Sequence, residues 1–128
     1  MGQPVVHFEI IGKDSAALQS FYSELFGWKI EIDTNNPMNY GFVQRDENVL
    51  PDGTGIPGGI GQVPEGEPGW LTFYVEVPDV EAALVQAERL GGTRRSGPDQ
   101  VMDGLVIGHF TDPEGHFVGV ATNTAPQG

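Results

Sequence analysis

The chain is written twice, and that repeat constrains the fold more than any other feature. HFEIIGKDSAALQSFYSELFG, starting at His7, runs alongside TFYVEVPDVEAALVQAERLGG, starting at Thr72, at an offset of 65 residues. Phe8 meets Phe73, Asp14 meets Asp79, Ala17 meets Ala82, Leu25 meets Leu90 and Gly27 meets Gly92. The matches fall on structural punctuation: an acidic residue before a helix, an apolar stripe along it, a glycine after it. A unit this short cannot bury its own hydrophobic face, so two units are expected to pair their sheets around a shared cavity.

Each copy opens with a strand rich in Val, Ile and aromatics, residues 5–11 and 70–77. A helix follows, its free N–H groups served by Asp14 and Ser15 in the first copy and by Asp79 in the second. Ala17, Leu18, Phe21, Tyr22 and Leu25 form one helical face, and Val80, Ala83, Leu84, Ala87 and Leu90 form the other. Gly27 and the Gly91–Gly92 pair supply left-handed C-terminal positions. Three shorter strands come next in each copy: WKIEID, NYGFVQR and GGIGQV, then approximately TRRSGP, LVIGHFT and HFVGVAT. DPEG joins the last two as a turn, and DENVLPDGTGIPGG reads as a long loop that is either an unconstrained surface segment or a lid. The fold class is therefore α+β, two tandem β-α-β-β-β modules at about 4–63 and 69–123 within one domain, residues 1–128. VPEGEPG links them.

Composition narrows the function. The 128 residues, 38% hydrophobic, suit one compact domain that buries roughly two thirds of its unfolded surface. A net charge of −12 with only six basic residues argues against nucleic acid, whose phosphates need Lys and Arg. The acid is spread evenly, which reads as a solvated surface and equally as a field favouring cationic ligands. The absence of cysteine excludes disulfides and thiolate chemistry. No apolar run approaches the roughly 18–20 residues of a membrane span, and no signal-peptide pattern opens the chain, so a cytoplasmic location is expected.

FYSELFGW after a histidine-bearing first strand, PDVEAALVQAERLGG in the middle and FTDPEGHFVGVAT near the end resemble the vicinal oxygen chelate superfamily. That group contains glyoxalase I, extradiol dioxygenases, fosfomycin-modifying enzymes and bleomycin-binding resistance proteins. The resemblance covers roughly residues 5 to 123. It implies a cupped mixed sheet, a homodimer, and in metal-dependent members a divalent metal held by side chains from the first and fourth strands of each module. Carried over to this chain, those positions are His7, Thr72, Gly59 and Gly119. The last is the residue seven after Asp112, where metal-dependent members typically have Glu. One histidine, one threonine and two glycines fall short of the three or so protein ligands such a site needs, so no metal ligand is assigned and no cofactor is expected. An unusual site recruiting Glu9 stays open, because His7 and Glu9 lie two apart on one strand face.

His7 has three readings: a histidine packed and hydrogen-bonded beside the cavity, a ligand-contacting residue or general base oriented by Glu9, or a metal ligand. Glu9, if buried, needs a partner for its charge; otherwise it is a solvated carboxylate at a sheet end. Thr72, Tyr74, Trp70, Tyr40 and Phe42 are candidate ligand-binding residues, although periodicity explains most aromatics as core. Gly59 and Gly119 mark either close sheet packing or space on the floor of a pocket. His116 and Asp112 read as turn residues. The expected function is metal-independent binding of a small organic molecule, in its best-defined version sequestration of a toxic or antibiotic compound. The alternative is a glyoxalase-type lyase, isomerase or dioxygenase with an atypical metal site or His7 as acid/base.

Overall fold

The computed structural model describes residues 2–33 and 35–123; positions 1, 34 and 124–128 lie outside the description. The described chain runs through β1 (Val5–Gly12), α1 (Ser15–Phe26), β2 (Ile30–Ile32), β3 (Gly41–Val43), β4 (Gly58–Gln62), β5 (Trp70–Glu76), α2 (Val80–Arg89), β6 (Thr93–Met102), β7 (Leu105–Thr111) and β8 (Phe117–Asn123). It divides into two compact units, His7–Leu71 and residues 72–123 with 2–6. Each unit is a mixed α+β module of β-α-β-β-β order, as the repeat predicts. Among the described residues no helix is long and apolar enough to cross a membrane.

In the first unit the strands lie in the order β2-β3-β4-β1. β1 runs parallel to β4, with Glu9 opposite Gly59, and β3 is antiparallel to β4, with Phe42 opposite the same glycine. In the second unit the order is β5-β8-β7-β6. β5 runs parallel to β8 with Tyr74 opposite Gly119, as Glu9 lies opposite Gly59; residues 9 and 74 keep the 65-residue offset of the sequence, whereas Gly59 and Gly119 are 60 apart.

Both helices begin as their sequences dictate. The Asp14 side chain accepts from the Ala17 N–H at 3.1 Å and that of Asp79 from the Ala82 N–H at 3.2 Å. Each bond satisfies one of the donors a helix start leaves unpaired, worth about 1 kcal/mol. Ser15 works differently from the expectation: its N–H and hydroxyl both donate to Gln62 Oε1, pinning the helix start to the end of β4. Gly27 takes φ +72°, the left-handed turn that lets its N–H reach the Ser23 carbonyl.

The second unit packs α2 on its sheet through Val77, Val80, Leu84 and Val120, all buried. Burying side chains of this size stabilises by roughly 1.5–3 kcal/mol each. In the first unit α1 departs from the expected apolar face. Its buried residues are Ser15 and Gln19, while Phe21, Leu25 and Phe26 are 57–59% exposed. The physical reason is a pair of backbone carbonyls on that side of the helix: Gln19 Nε2 donates to Ile60 O at 2.9 Å and to Asn39 O at 3.0 Å. A buried carbonyl left unbonded costs more than an exposed phenylalanine, so the amide turns inward. The displaced aromatics gather instead around Trp28, with Tyr22, Phe26 and Phe8 ring centres 5.2–5.6 Å from it.

Candidate functional site

β1 alternates, so His7, Glu9 and Ile11 share one face. That face meets Tyr40, which stands just before β3 at the end of a turn whose last residue, Asn39, takes φ +47°. Asparagine tolerates this left-handed conformation better than most side chains. The core here is Ile11, Tyr40 and Val63, with Met38, Phe42 and Trp70 packed against it.

Four of the expected site residues form one hydrogen-bonded chain. His7 Nε2 lies 2.9 Å from the Tyr40 hydroxyl, Tyr40 donates to Glu9 Oε2 at 2.8 Å, and Trp70 Nε1 donates to Glu9 Oε1 at 2.8 Å. Glu9 is only 7% exposed and Tyr40 8%, whereas His7 is half-buried. The reading of Glu9 as a solvated carboxylate is thereby replaced: it is buried, and each of its oxygens accepts a bond. The donor inventory also orders the protons. A carboxylate can only accept, so the single phenolic proton goes to Glu9, and the bond to His7 must be supplied by Nε2–H. His7 then carries a proton on Nε2. Burial holds its pKa below the ordinary 6.5, and the Glu9 charge acts more weakly in the opposite direction.

The glycines are occupied ground. A Cβ built on Gly59 would stand 1.8 Å from the Tyr40 hydroxyl oxygen, and one on Gly61 would stand 2.9 Å from the same ring. On Gly119 it would stand 2.4 Å from the Tyr74 ring. The expectation that these positions leave open space on a pocket floor is corrected: close packing under tyrosine rings is their role. Phe42 closes the group edge-on, its ring centre 4.9 Å from that of Tyr40.

The second unit carries a network that sequence reasoning missed. Tyr74, buried on β5, bonds through its hydroxyl to His109 Nε2 on β7 at 2.7 Å, and His109 Nδ1 bonds to the Ser96 hydroxyl on β6 at 2.8 Å. The His109 ring stacks on Phe117, centres 4.8 Å apart. Thr72, also buried, donates to the Phe117 carbonyl. The available signal was alternation: His109 lies directly opposite Gly119, as Phe42 lies opposite Gly59 in the first unit. His116 is on the surface, its Nδ1 2.9 Å from Asp112 Oδ2, holding the DPEG turn as expected. In the long loop, Arg45 donates to the Gly53 and Gly55 carbonyls.

A divalent metal at the superfamily positions does not fit this donor set. Of those positions only His7 and Thr72 carry a side chain with a donor atom, Thr72 is bonded to the Phe117 carbonyl, and Glu9 beside His7 is engaged by Tyr40 and Trp70. Gly59 and Gly119 offer no donor, and the tyrosine rings fill the room a ligating side chain would need. Among the described residues no group of three or more His, Cys, Asp or Glu is placed to hold a metal ion.

With this geometry established, comparison with known proteins places the fold. The model of a family described as "Glyoxalase-like domain" matches residues 7–121. A methylmalonyl-CoA epimerase from Streptomyces coelicolor, solved in complex with 2-nitronate-propionyl-CoA, is similar at a TM-score of 0.68 and 16% identity, covering 98% of each chain. A glyoxalase/bleomycin resistance protein/dioxygenase superfamily member from Vibrio splendidus 12B01 is similar at 0.60 and 16% identity, over 95% of this chain and 100% of the other. A hypothetical protein from Bacillus halodurans C-125 gives 0.71 at 10% identity, over 100% and 99%. No curated protein matches the chain.

Proposed function

We propose a function from one premise: the chain belongs to the glyoxalase-like domain family, whose model spans residues 7–121. The protein binds a small organic molecule against the face that carries His7, Glu9, Tyr40 and Trp70, and does so without a divalent metal. One observation carries the reading. The residues at and beside the superfamily's metal positions are bonded to one another, Glu9 to both Tyr40 and Trp70, and His7 to Tyr40. The imidazole of His7 is half-buried and the rings of Trp70 and Phe42 are partly exposed, and small-molecule sites usually combine aromatic walls with a few polar groups. The similar epimerase was solved with an organic ligand in complex, which supports a small-molecule role for a fold of this kind.

Sequestration of a toxic or antibiotic compound is the version we favour, and the −12 charge suits a cationic one. A cytoplasmic homodimer belongs to the same proposal, with the exposed Phe21, Leu25 and Phe26 of α1 as apolar surface for a second copy.

The test pairs metal analysis with ligand screening. Purified protein, offered Zn, Co, Ni and Fe(II) and then desalted, is expected to retain less than stoichiometric metal. A thermal-shift screen with cationic antibiotics and aromatic metabolites is expected to find a stabilising ligand, since saturation at 100 times the dissociation constant adds about 2.7 kcal/mol. Tight stoichiometric metal that disappears in His7→Ala overturns the metal-free reading. Sedimentation at micromolar concentration checks the dimer.

A further inference from the structure

We propose a second ligand site in the second unit, between α2 and the sheet, that takes arylalkylamines: an aromatic ring on a short chain ending in an ammonium. None of its residues belongs to the face proposed above. Side chains alternate along β5, so Val75 and Val77 point to α2 while Thr72 and Tyr74 point away. Beside those valines is a cavity of about 380 Å3. Val77 and Val120 are its buried members, Ala83 and Ala87 come from α2, and Phe110 from β7.

The repeat explains why the space exists and what shape fills it. At the 65-residue offset Ala87 corresponds to Tyr22 and Thr93 to Trp28. In the first unit those two rings stack with centres 5.6 Å apart, and Phe8 of β1 packs on Trp28 at 5.2 Å. The second unit keeps the strand phenylalanine, Phe73, but has alanine and threonine in place of the other two rings. Phe73 is accordingly 41% exposed. One module fills the gap between its helix end and its sheet with aromatic side chains. The other leaves a cavity within the range of about 300–1,000 Å3 usual for small-molecule sites. A bound ring takes the place of the missing side chains.

Charge selects the rest of the molecule. Among the described residues of the lining, Asp112 is the one ionisable side chain. Hydrogen bonds, first that from the His116 N–H, hold its carboxyl below the usual carboxylate range, so it is an anion at neutral pH. The last turn of α2 borders the same cavity through Gln86, Ala87 and Leu90, and a helix C-terminus is its negative pole. Arg89 of that turn is exposed and lies outside the lining. His116 Nδ1 is bonded to Asp112 Oδ2, so the ammonium is drawn by the field of the carboxylate and the turn stays intact. A carboxylate ligand of the same size is repelled. A second copy of this chain, at net charge −12, is a poorer match for that negative end than an amine.

The probe is tryptamine, with indole-3-propionate as the ring-matched acid, each titrated into the native chain and followed by amide NMR. Tryptamine is expected to shift the signals of Val75, Ala87 and Phe110 along one saturating curve. Indole-3-propionate is expected to bind about ten-fold more weakly or not at all. Ala87→Tyr, which restores the side chain of the first module, is expected to abolish these shifts. Ala87→Leu, a smaller filling, takes its place if the thermal melt shows the tyrosine variant unfolded. Asp112→Asn keeps the oxygen that accepts from the turn and is expected to weaken tryptamine about five-fold. Equal affinity for acid and amine overturns the ligand class, and shifts that survive a filled Ala87 position overturn the site. Shifts confined to His7, Tyr40 and Trp70 overturn the second site and leave the binding reading above standing. No shift at Val75, Ala87 and Phe110 also overturns it, and loss of a dimer in Ala87→Tyr, read by sedimentation, then identifies the occupant as a second copy.

Discussion

Tyr40 lies over Gly59 so closely that a Cβ built on the glycine would stand 1.8 Å from the phenolic oxygen. The same relationship recurs in the second unit, where the Tyr74 ring covers Gly119 at 2.4 Å. At both fourth-strand positions where the resemblance leads one to look for a metal-binding side chain, the chain has a glycine beneath a tyrosine that hydrogen-bonds to a histidine.

Gly59→Ala is therefore expected to destabilise the protein by about 1–3 kcal/mol, the usual cost of forcing an extra methyl into a packed interior. In a Tyr40→Ala background the same substitution is expected to cost markedly less. Urea unfolding of the four proteins in this cycle gives the coupling. Equal costs in both backgrounds would show that the tyrosine is not the obstacle.

Trp70→Phe removes the donor to Glu9 Oε1 while keeping most of the ring. A hydrogen bond to a charged group contributes about 1.5–3 kcal/mol, so a loss in that range is expected. With Glu9→Gln already present the loss is expected to shrink, because the acceptor is then neutral. Chemical denaturation of the single and double variants checks this.

The pKa of His7 is held below 6.5 in the folded chain. As pH falls through 6.5 the unfolded state takes a proton at this residue and the folded state does not, so the His7 contribution to stability declines from 6.5 down to the folded pKa. Above 6.5 both states are neutral there and the contribution is fully present. His7→Asn is expected to flatten this part of the stability-versus-pH curve, measured by urea midpoints between pH 7.5 and 5.

Gln19→Leu is expected to destabilise by about 1–3 kcal/mol although it makes α1 more apolar, because the buried Ile60 carbonyl and the Asn39 carbonyl lose this donor. Ser20→Ala, one residue on and exposed, is the control and is expected to stay within about 0.5 kcal/mol.

Where the sequence carried its information locally, the fold was readable from it. Asp14 and Asp79 cap their helices because a short acceptor one position before a helix can reach only the N–H groups of its first turn. The offset of 65 correctly paired Glu9 with Tyr74, and the match of GIGQ with GVAT paired Gly59 with Gly119, since equivalent strands occupy equivalent registers. The helical periodicity of α1 was real, but it did not say which face turns inward; two carbonyls 20 and 41 residues away from Gln19 decided that.

The site divides along the same line. Alternation on β1 was enough to put His7 and Glu9 on one face and to require a partner for Glu9 if that face is buried. That the partners are Tyr40, 31 residues on, and Trp70, 61 residues on, depends on strand register and on the turn that ends at Asn39. The Tyr74–His109–Ser96 network has no local signature at all, since its members come from β5, β7 and β6. By itself the sequence determined the duplicated module, its capped helices, the family it resembles and the glycines that deny that family's metal two of its donors. Only the tertiary structure decided what fills the room above those glycines and which proton His7 gives away. Side-chain contacts between distant strands are set by register and packing, and neither is written within the reach of one helical turn or one strand.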